Sequence, residues 1–161
     1  MRGRGGRLLA ALLVVLLLGV VAGDVVWTLR SRERDRVEDA RAAAMAQAAK
    51  RLPVLLSYAA DDLDADLAAA VASATGPFRD DYRRVLETVV RPNARSGKVS
   101  TTAVVDALAV VRGDADRVVV LAFLTQTTTA RGREPDTSQS RVEATMQRVG
   151  DDWLIAGLDP V

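Results

Sequence analysis

Residues 116–130 read DRVVVLAFLTQTTTA, a run of valine, leucine, phenylalanine and threonine that decides the fold class. β-Branched and aromatic side chains favour extended strands, and this run contains neither proline nor glycine. Residues 98–112, KVSTTAVVDALAVVR, have the same character. Residues 138–149, SQSRVEATMQRV, alternate between polar and apolar side chains, as a strand with one solvated face does. With DWLIAGLDP at 152–160, the second half of the chain predicts four strands.

Turn signals separate these four strands. GDAD at 113–116 and GDD at 150–152 are short turns, and ARGREPDT at 130–137 is a longer hairpin loop. Short connections join neighbouring antiparallel strands, so the strands follow one another as a meander. Because helical patterns precede the strands, the order predicts an α+β domain. In such a domain the helices pack on one face of a curved, four-stranded antiparallel sheet.

Two short amphipathic helices are predicted before the strands. The first starts near DDLDADL at 61–67, and its apolar face consists of Leu63, Leu67, Ala70, Val71 and Ala74. The second starts at Pro77, after Gly76, and its apolar face consists of Phe78, Tyr82, Val85, Leu86 and Val89. We expect Pro92 to end this helix, because proline cannot donate to the helical hydrogen-bond ladder.

The four aspartates of DDLDADL have three interpretations. We favour a helix start, where carboxylates accept free backbone N–H groups and complement the helix dipole. A calcium loop would begin with Asp62, Asp64 and Asp66, but it needs glycine at its sixth position and glutamate at its twelfth. Leu67 and Ser73 stand at those positions, so we predict no metal site. A proton-sharing pair, Asp62 with Asp66, would require both groups to face each other in a cleft.

Composition excludes several classes of function. The chain has no cysteine, which excludes disulfides and thiolate chemistry, and no histidine, which removes the commonest general base and zinc ligand. Its formal net charge is +1, and basic and acidic side chains nearly balance after residue 30. Nucleic-acid-binding domains usually carry a basic stripe. We therefore predict no nucleic-acid partner and no cofactor.

A long apolar segment lies near the N-terminus. Residues 8–29, LLAALLVVLLLGVVAGDVVWTL, could cross a hydrocarbon core of about 30 Å as a helix. The expected anchor residues are Leu8, Leu12, Leu16, Val20 and, at one boundary, Trp27. The basic head, residues 1–7, favours a cytoplasmic N-terminus. The alternative is a signal peptide cleaved near Ala22 or Gly23, but we favour an uncleaved anchor because apolar residues resume after Asp24.

Residues 30–52 predict a helical stalk. The segment is rich in alanine, the best helix former, and opposite charges recur in it at helical spacing. We interpret it as a solvated helix that ends or kinks at Pro53, where the domain of residues 53–161 begins. In the alternative interpretation, a stripe packs on a partner helix, and this stripe consists of Val37, Ala40, Ala44 and Ala48.

The order of these segments resembles the Mce-associated membrane proteins of actinobacteria over about residues 8–161. The resemblance rests on LSYAADDLDADL at 56–67, on the helix junction after it, and on VGDDWLIAGLDPV at 149–161. The positions that match are Tyr58, Leu63 to Leu67, Thr75, Gly76, Phe78, Trp153 and Leu154. The resemblance implies a cone-shaped SnoaL-like, or nuclear-transport-factor-like, domain.

It also implies a non-enzymatic accessory protein that assembles or stabilises an Mce-type lipid import complex. The protein would be single-pass in the plasma membrane, with its N-terminus cytoplasmic and its C-terminal domain extracytoplasmic. Mce transporter subunits are the implied partners, while a bound lipid and a homo-oligomer stay open. The candidate pocket or interface residues are Tyr58, Phe78, Tyr82 and Trp153.

Two other classes of function remain as alternatives. The same layout of an anchor and a cone resembles inner-membrane assembly factors of type IV secretion. SnoaL-like and ketosteroid-isomerase-like enzymes also use the cone, and their bases are typically Asp or His, helped by an acid such as Tyr. Asp106, Tyr58 and Tyr82 are the candidates here, and spacing alone places none of them at the mouth of a cone. We therefore predict that the protein is not an enzyme and has no catalytic residues.

Overall fold

The computed structural model describes residue 32 and residues 34–161. The chain divides into two compact units, Met1–Glu38 and Asp39–Val161. In the first unit, residue 32 and residues 34–38 are described, and they are helical. The predicted head and membrane span lie outside the described residues, as do the expected anchors Leu8, Leu12, Leu16, Val20 and Trp27. Within the described part of the chain, no helix is long and apolar enough to cross a membrane.

The second unit contains the four-stranded sheet that the sequence predicts. Its strands pair with their sequence neighbours in the order β1-β2-β3-β4, and every pair is antiparallel. The alternation of side chains and the short turns are sufficient to specify this meander. The strands are β1 (Ser100–Gly113), β2 (Arg117–Thr129), β3 (Asp136–Val149) and β4 (Asp152–Pro160).

The turn between β1 and β2 shows why GDAD ends one strand and starts the next. One carboxylate oxygen of Asp114 accepts the N–H groups of Asp116 and Arg117, each at 2.9 Å. These two hydrogen bonds hold the pKa of the Asp114 carboxyl below its ordinary value. An aspartate that bonds the backbone two residues further on is a typical turn former.

Strand β2 supplies the centre of the hydrophobic core. Its inward-facing residues Val118, Val120, Ala122 and Leu124 are at most 1% exposed. They alternate with outward-facing side chains such as Phe123, which is 40% exposed. Successive side chains of a strand point to opposite faces, so β2 has one dry face and a second face that is partly exposed, apart from the buried Val119.

The helix that packs on this core lies in the segment predicted as a stalk. Within the second unit, α1 covers residues 39–56 and continues past Pro53. The structure differs here from a solvated stalk followed by a domain starting at residue 53, because one face of α1 joins the core of the sheet. Alanine is small, so this face can approach the strands closely and pack without voids. The buried residues of the face are Ala40, Ala44, Ala48, Leu52 and Leu55.

Three further α-helices and a π-helical turn complete the domain. In chain order they are α2 (Leu63–Ala72), α3 (Gly76–Val85), the π turn (Leu86–Val90) and α4 (Arg91–Gly97). The prediction that Pro92 ends the second helix is wrong, because the helical path continues through α4. A proline ring normally clashes with the carbonyl four residues earlier. The wider π turn ends at Val90 and includes Thr88, the residue whose carbonyl the Pro92 ring would approach in a regular α-helix.

Candidate functional site

A pocket of about 300 Å³ lies between the helices and the sheet. This volume is at the lower limit for small-molecule sites. Its lining mixes aliphatic side chains with hydroxyl and amide groups. The lining residues are Leu55, Leu56, Tyr58, Tyr82, Leu86, Val90, Thr101, Gln126, Thr128 and Ser138.

Tyr58 is fixed at the pocket by the backbone of the sheet. Its N–H donates to the Thr101 carbonyl at 2.8 Å, and the Thr101 N–H donates back to the Tyr58 carbonyl at 2.9 Å. This isolated bridge joins the segment after α1 to the start of β1. The Thr101 hydroxyl in turn lies 3.2 Å from the hydroxyl of Thr128 on β2. The polar wall of the pocket is therefore held in place by backbone pairing.

Tyr82 reaches the pocket from α3. Its hydroxyl donates a hydrogen bond to the carbonyl oxygen of Leu55, near the end of α1. Phe78 stacks on its ring, with the ring centroids 5.5 Å apart and the planes 19° from parallel. Burial, and to a lesser extent the neighbouring phenol of Tyr58, raise the pKa of Tyr82 to about 12. The Tyr82 phenol is therefore neutral at physiological pH and already committed to a backbone acceptor.

The lining of this pocket is uncharged. None of the ten lining residues is an aspartate, glutamate, lysine or arginine. The polar groups that remain are hydroxyls and one amide, which can form hydrogen bonds but have no ordinary pKa near neutrality. Such a lining suits an uncharged, partly apolar group better than an ionic substrate.

Asp106, the candidate base, lies elsewhere. It occupies a bulge in β1, where the register with β2 shifts between Val105 and Ala107. Its carboxylate accepts a hydrogen bond of 2.7 Å from the Thr125 hydroxyl. It lines a separate cavity of about 340 Å³ together with the exposed Phe123. The structure therefore brings Tyr58 and Tyr82 together at one pocket and leaves Asp106 out of it.

Trp153 is a core residue. It is 2% exposed and belongs to the main hydrophobic cluster with Ile155 and Met146. The guanidinium carbon of Arg148 lies 4.9 Å from its ring centroid, within the range of a cation–π contact. Of the four predicted pocket or interface residues, Tyr58 and Tyr82 line the pocket, Phe78 stacks behind Tyr82, and Trp153 lies in the core.

The aspartates of DDLDADL start α2, as predicted, but only one of them bonds a nearby backbone N–H. Asp62 is the N-cap residue, yet its side chain makes no capping hydrogen bond. The Asp66 carboxylate accepts the Ala59 N–H at 2.8 Å. Asp61 lies 3.5 Å from the Lys98 ammonium, and Asp64 pairs with two arginines of α4, Arg91 and Arg95. Across the described residues, no group of three or more carboxylates is placed to hold a metal ion.

Sequence reasoning missed the polar residues of the pocket. Gln126 and Thr128 continue the inward-facing positions of β2 beyond Leu124. A signal for them exists in the sequence, since LTQTTT changes from apolar to polar on the face that packs inward. Polar side chains at core-facing positions indicate a cavity, because they would be costly in a dry, close-packed core.

These features together define an α+β domain with a nuclear-transport-factor-like, or SnoaL-like, fold. A family model described as Uncharacterized protein Rv1363c/MT1408-like matches residues 7–153, and the chain belongs to that family.

Two mycobacterial proteins are clearly related to the chain. Outer membrane protein Rv1973 of Mycobacterium tuberculosis (strain ATCC 25618 / H37Rv) is 38% identical over 122 residues, which is 76% of this chain and 76% of that protein. Uncharacterized protein Rv1362c of the same strain is 34% identical over 153 residues, which is 92% of this chain and 70% of that protein. One relative is thus named for an outer membrane, whereas the sequence predicts the plasma membrane.

Solved structures with the same fold come from two classes of protein. A periplasmic fragment of TraM has a TM-score of 0.61 at 15% identity and covers 73% of this chain and 94% of its own. CagV, a VirB8 homologue of the type IV secretion system of Helicobacter pylori, has a TM-score of 0.58 at 12% identity, with coverage of 74% and 97%. ActVI-ORFA of Streptomyces coelicolor has a TM-score of 0.51 at 16% identity, with coverage of 63% and 84%. At these identities the likeness shows the fold alone.

Proposed function

We propose that this chain is a non-enzymatic scaffold subunit of a membrane-associated protein complex. The observation that carries the proposal is the similarity of the fold to VirB8-like domains. CagV, a VirB8 homologue of a type IV secretion system, is the example. A name among the relatives, outer membrane protein, supports membrane association. In this proposal residues 8–29 anchor the chain and the domain lies on the extracytoplasmic side.

The chemistry of the pocket supports a role without catalysis. General acid–base catalysis needs a side chain whose pKa lies near the working pH and that can reach the substrate. Tyr82 has a pKa of about 12 and already donates to Leu55, while the pocket lining holds no carboxylate or amine. Asp106 is exposed and lines a different cavity. These contacts therefore favour a structural role, in which Tyr82 links α3 to α1, over catalysis of a reaction.

A second candidate function is the accessory role in an Mce-type lipid import complex. It rests on the order of the segments, which resembles that of Mce-associated membrane proteins, with matching residues that include Tyr58, Gly76 and the Trp153-Leu154 pair. Both candidates describe a scaffold, and they differ in the complex that it serves. The fold favours the secretion-type scaffold, because its neighbours include VirB8 homologues.

The test is to purify the full chain from its native membrane in mild detergent and to identify the co-purifying proteins by mass spectrometry. A mock purification from cells lacking the tagged chain is the control. Secretion-type channel subunits would support the first candidate, and Mce permease or substrate-binding subunits would support the second. If no partner is enriched over the mock purification, the scaffold proposal is refuted.

A further inference from the structure

Among the described residues, the backbone groups along the outer edge of β1 have hydrogen-bond partners at both ends of the strand and none in the middle. At one end, Thr101 pairs with Tyr58, and the Ala103 N–H donates to the Ser57 hydroxyl at 2.9 Å. At the other end, the Arg41 guanidinium donates to the Gly113 carbonyl at 3.1 Å. Among the described residues, the backbone of residues 104–112 forms hydrogen bonds only with β2. Nine residues of sheet edge are therefore available for pairing.

This open edge is unusually apolar. Residues 104–111 read VVDALAVV, with Asp106 as their one charge. Val104 is 54% exposed and Val111 is 46% exposed. Natural proteins usually protect an exposed edge with lysine, proline, β-bulges or a covering segment, and of these devices β1 has two bulges. Between α1 and this edge runs an apolar groove of about 590 Å³, which includes Ala49 and Pro53 of α1.

We propose that β1 is a homodimer interface, in which the open edge pairs antiparallel with the same edge of a second copy. The proposal goes beyond the scaffold function, since it concerns the assembly of the chain with itself. A strand that pairs with its own copy across a two-fold axis is an isologous contact, the commonest kind in soluble oligomers.

Charge complementarity favours a second copy of this chain as the partner and also fixes the register of the strand pair. Asp106 bonds Thr125, and Arg112 lies 3.3 Å from Glu143, so both side chains project on the outer face of the sheet. When the two-fold axis passes through Ala109, Asp106 lies opposite Arg112 of the second copy, and the reverse pair forms as well. Shifting the axis to Leu108 places both charges opposite valines, and shifting it to Val110 places Asp106 opposite Asp114 of the second copy. Opposite charges directly across a strand pair stabilise it.

Side-chain size fits the same register. Ala109 would face its own copy on the outer face, and the small side chains let the two strands approach to the normal spacing of about 4.8 Å. On the inner face, Leu108 would lie opposite Val110 of the second copy and continue the groove beside Pro53. The two register shifts, next to Asp106 and before Arg112, confine regular pairing to the run between them. We therefore expect a dimer of moderate affinity.

The first test uses the absence of cysteine from the chain. In an antiparallel pair, directly opposite Cα atoms are about 4.5–5.5 Å apart, which suits a disulfide. The Ala109→Cys variant of the full chain, in mild detergent with an oxidant, should therefore cross-link to a dimer. Ala68→Cys, at an exposed position of α2, is the matched control for random collision. We expect cross-linking at residue 109 to be about tenfold faster or more, because pairing raises the local thiol concentration.

The second test is a charge swap. The molar mass of the full chain is measured by light scattering at about 100 μM, a concentration above the micromolar dissociation constants typical of small interfaces. Asp106→Arg and Arg112→Asp should each shift the chain towards the monomer, and the double variant should recover the dimer. Circular dichroism of each variant checks that the domain is folded. Equal cross-linking at residues 109 and 68, or a double variant as monomeric as the single ones, would overturn the proposal. A β1 edge occupied by a strand of another protein would give that result.

Discussion

Placing a carboxylate in the buried face of α1 tests the packing that the sequence did not predict. Ala48 is 0% exposed, and Ala46, two residues earlier on the same helix, is exposed. The Ala48→Asp and Ala46→Asp variants suffer the same loss of helix propensity, about 0.5–0.7 kcal/mol. Any further difference between them in the free energy of unfolding therefore measures burial.

The magnitude follows from the pKa of a buried carboxyl. Full burial raises the pKa of such a group by up to about 3–5 units, and each unit corresponds to 1.36 kcal/mol. At pH 7, about three units above the unfolded pKa of about 3.9, the Ala48→Asp variant should lose up to about 4 kcal/mol, a large part of the total stability of many domains. The overfilled core adds about 1–3 kcal/mol. The Ala46→Asp variant should stay within about 1 kcal/mol of the unchanged chain.

The stability of the Ala48→Asp variant should also depend on pH in a definite direction. A carboxyl whose pKa is raised in the folded state destabilises the fold progressively as the pH rises above its unfolded value of about 3.9. Urea unfolding of the full chain, followed by circular dichroism between pH 4 and pH 8, should show the two variants diverging as the pH rises. If they unfold together at every pH, the α1 face is solvated and does not belong to the core.

Three further predictions concern single side chains. Trp153→Ala should cost about 3–5 kcal/mol, measured by urea unfolding, because truncating a buried aromatic residue leaves a cavity; an unchanged midpoint would contradict its core position. Tyr82→Phe should cost about 0.5–1.5 kcal/mol at pH 7 by losing the bond to Leu55. Because the Tyr82 pKa is raised to about 12, the stability it provides should fall as the pH rises from 10 towards 12, and the variant should lack that fall. Asp114→Ala should remove part of the loss of thermal stability below pH 4, since the pKa of Asp114 is lowered in the folded state.

The sheet was predictable because its determinants are local. Two-residue alternation and Gly-Asp turns act over a few positions, so four strands can be read from the chain with their order. The role of α1 was not predictable in this way. Its buried stripe is mostly alanine, which is equally compatible with a solvated helix and with a helix packed closely on a sheet. Only the tertiary partner, the dry face of β2, distinguishes the two.

The candidate site was predictable in part for a similar reason. Tyr58 and Tyr82 stand out because aromatic residues are scarce, at 4% of the chain. Asp106 could not be separated from them by spacing, since a bulge in β1 decides where its side chain lies. The continuation of the helix past Pro92 depended on a π turn, which leaves no clear mark in the sequence.

The burial of Tyr82 has a structural explanation that needs no substrate. The last carbonyl groups of an α-helix have no partner within the helix. Leu55 lies next to the last residue of α1, and its carbonyl is the group that Tyr82 satisfies. The phenol thus ties the end of α1 to α3, and Phe78 holds its ring in place. A catalytic phenol would have to give up this bond in every cycle and leave a buried carbonyl unpaired, at a cost of about 1–3 kcal/mol. The geometry around Tyr82 is therefore that of a structural link between α1 and α3.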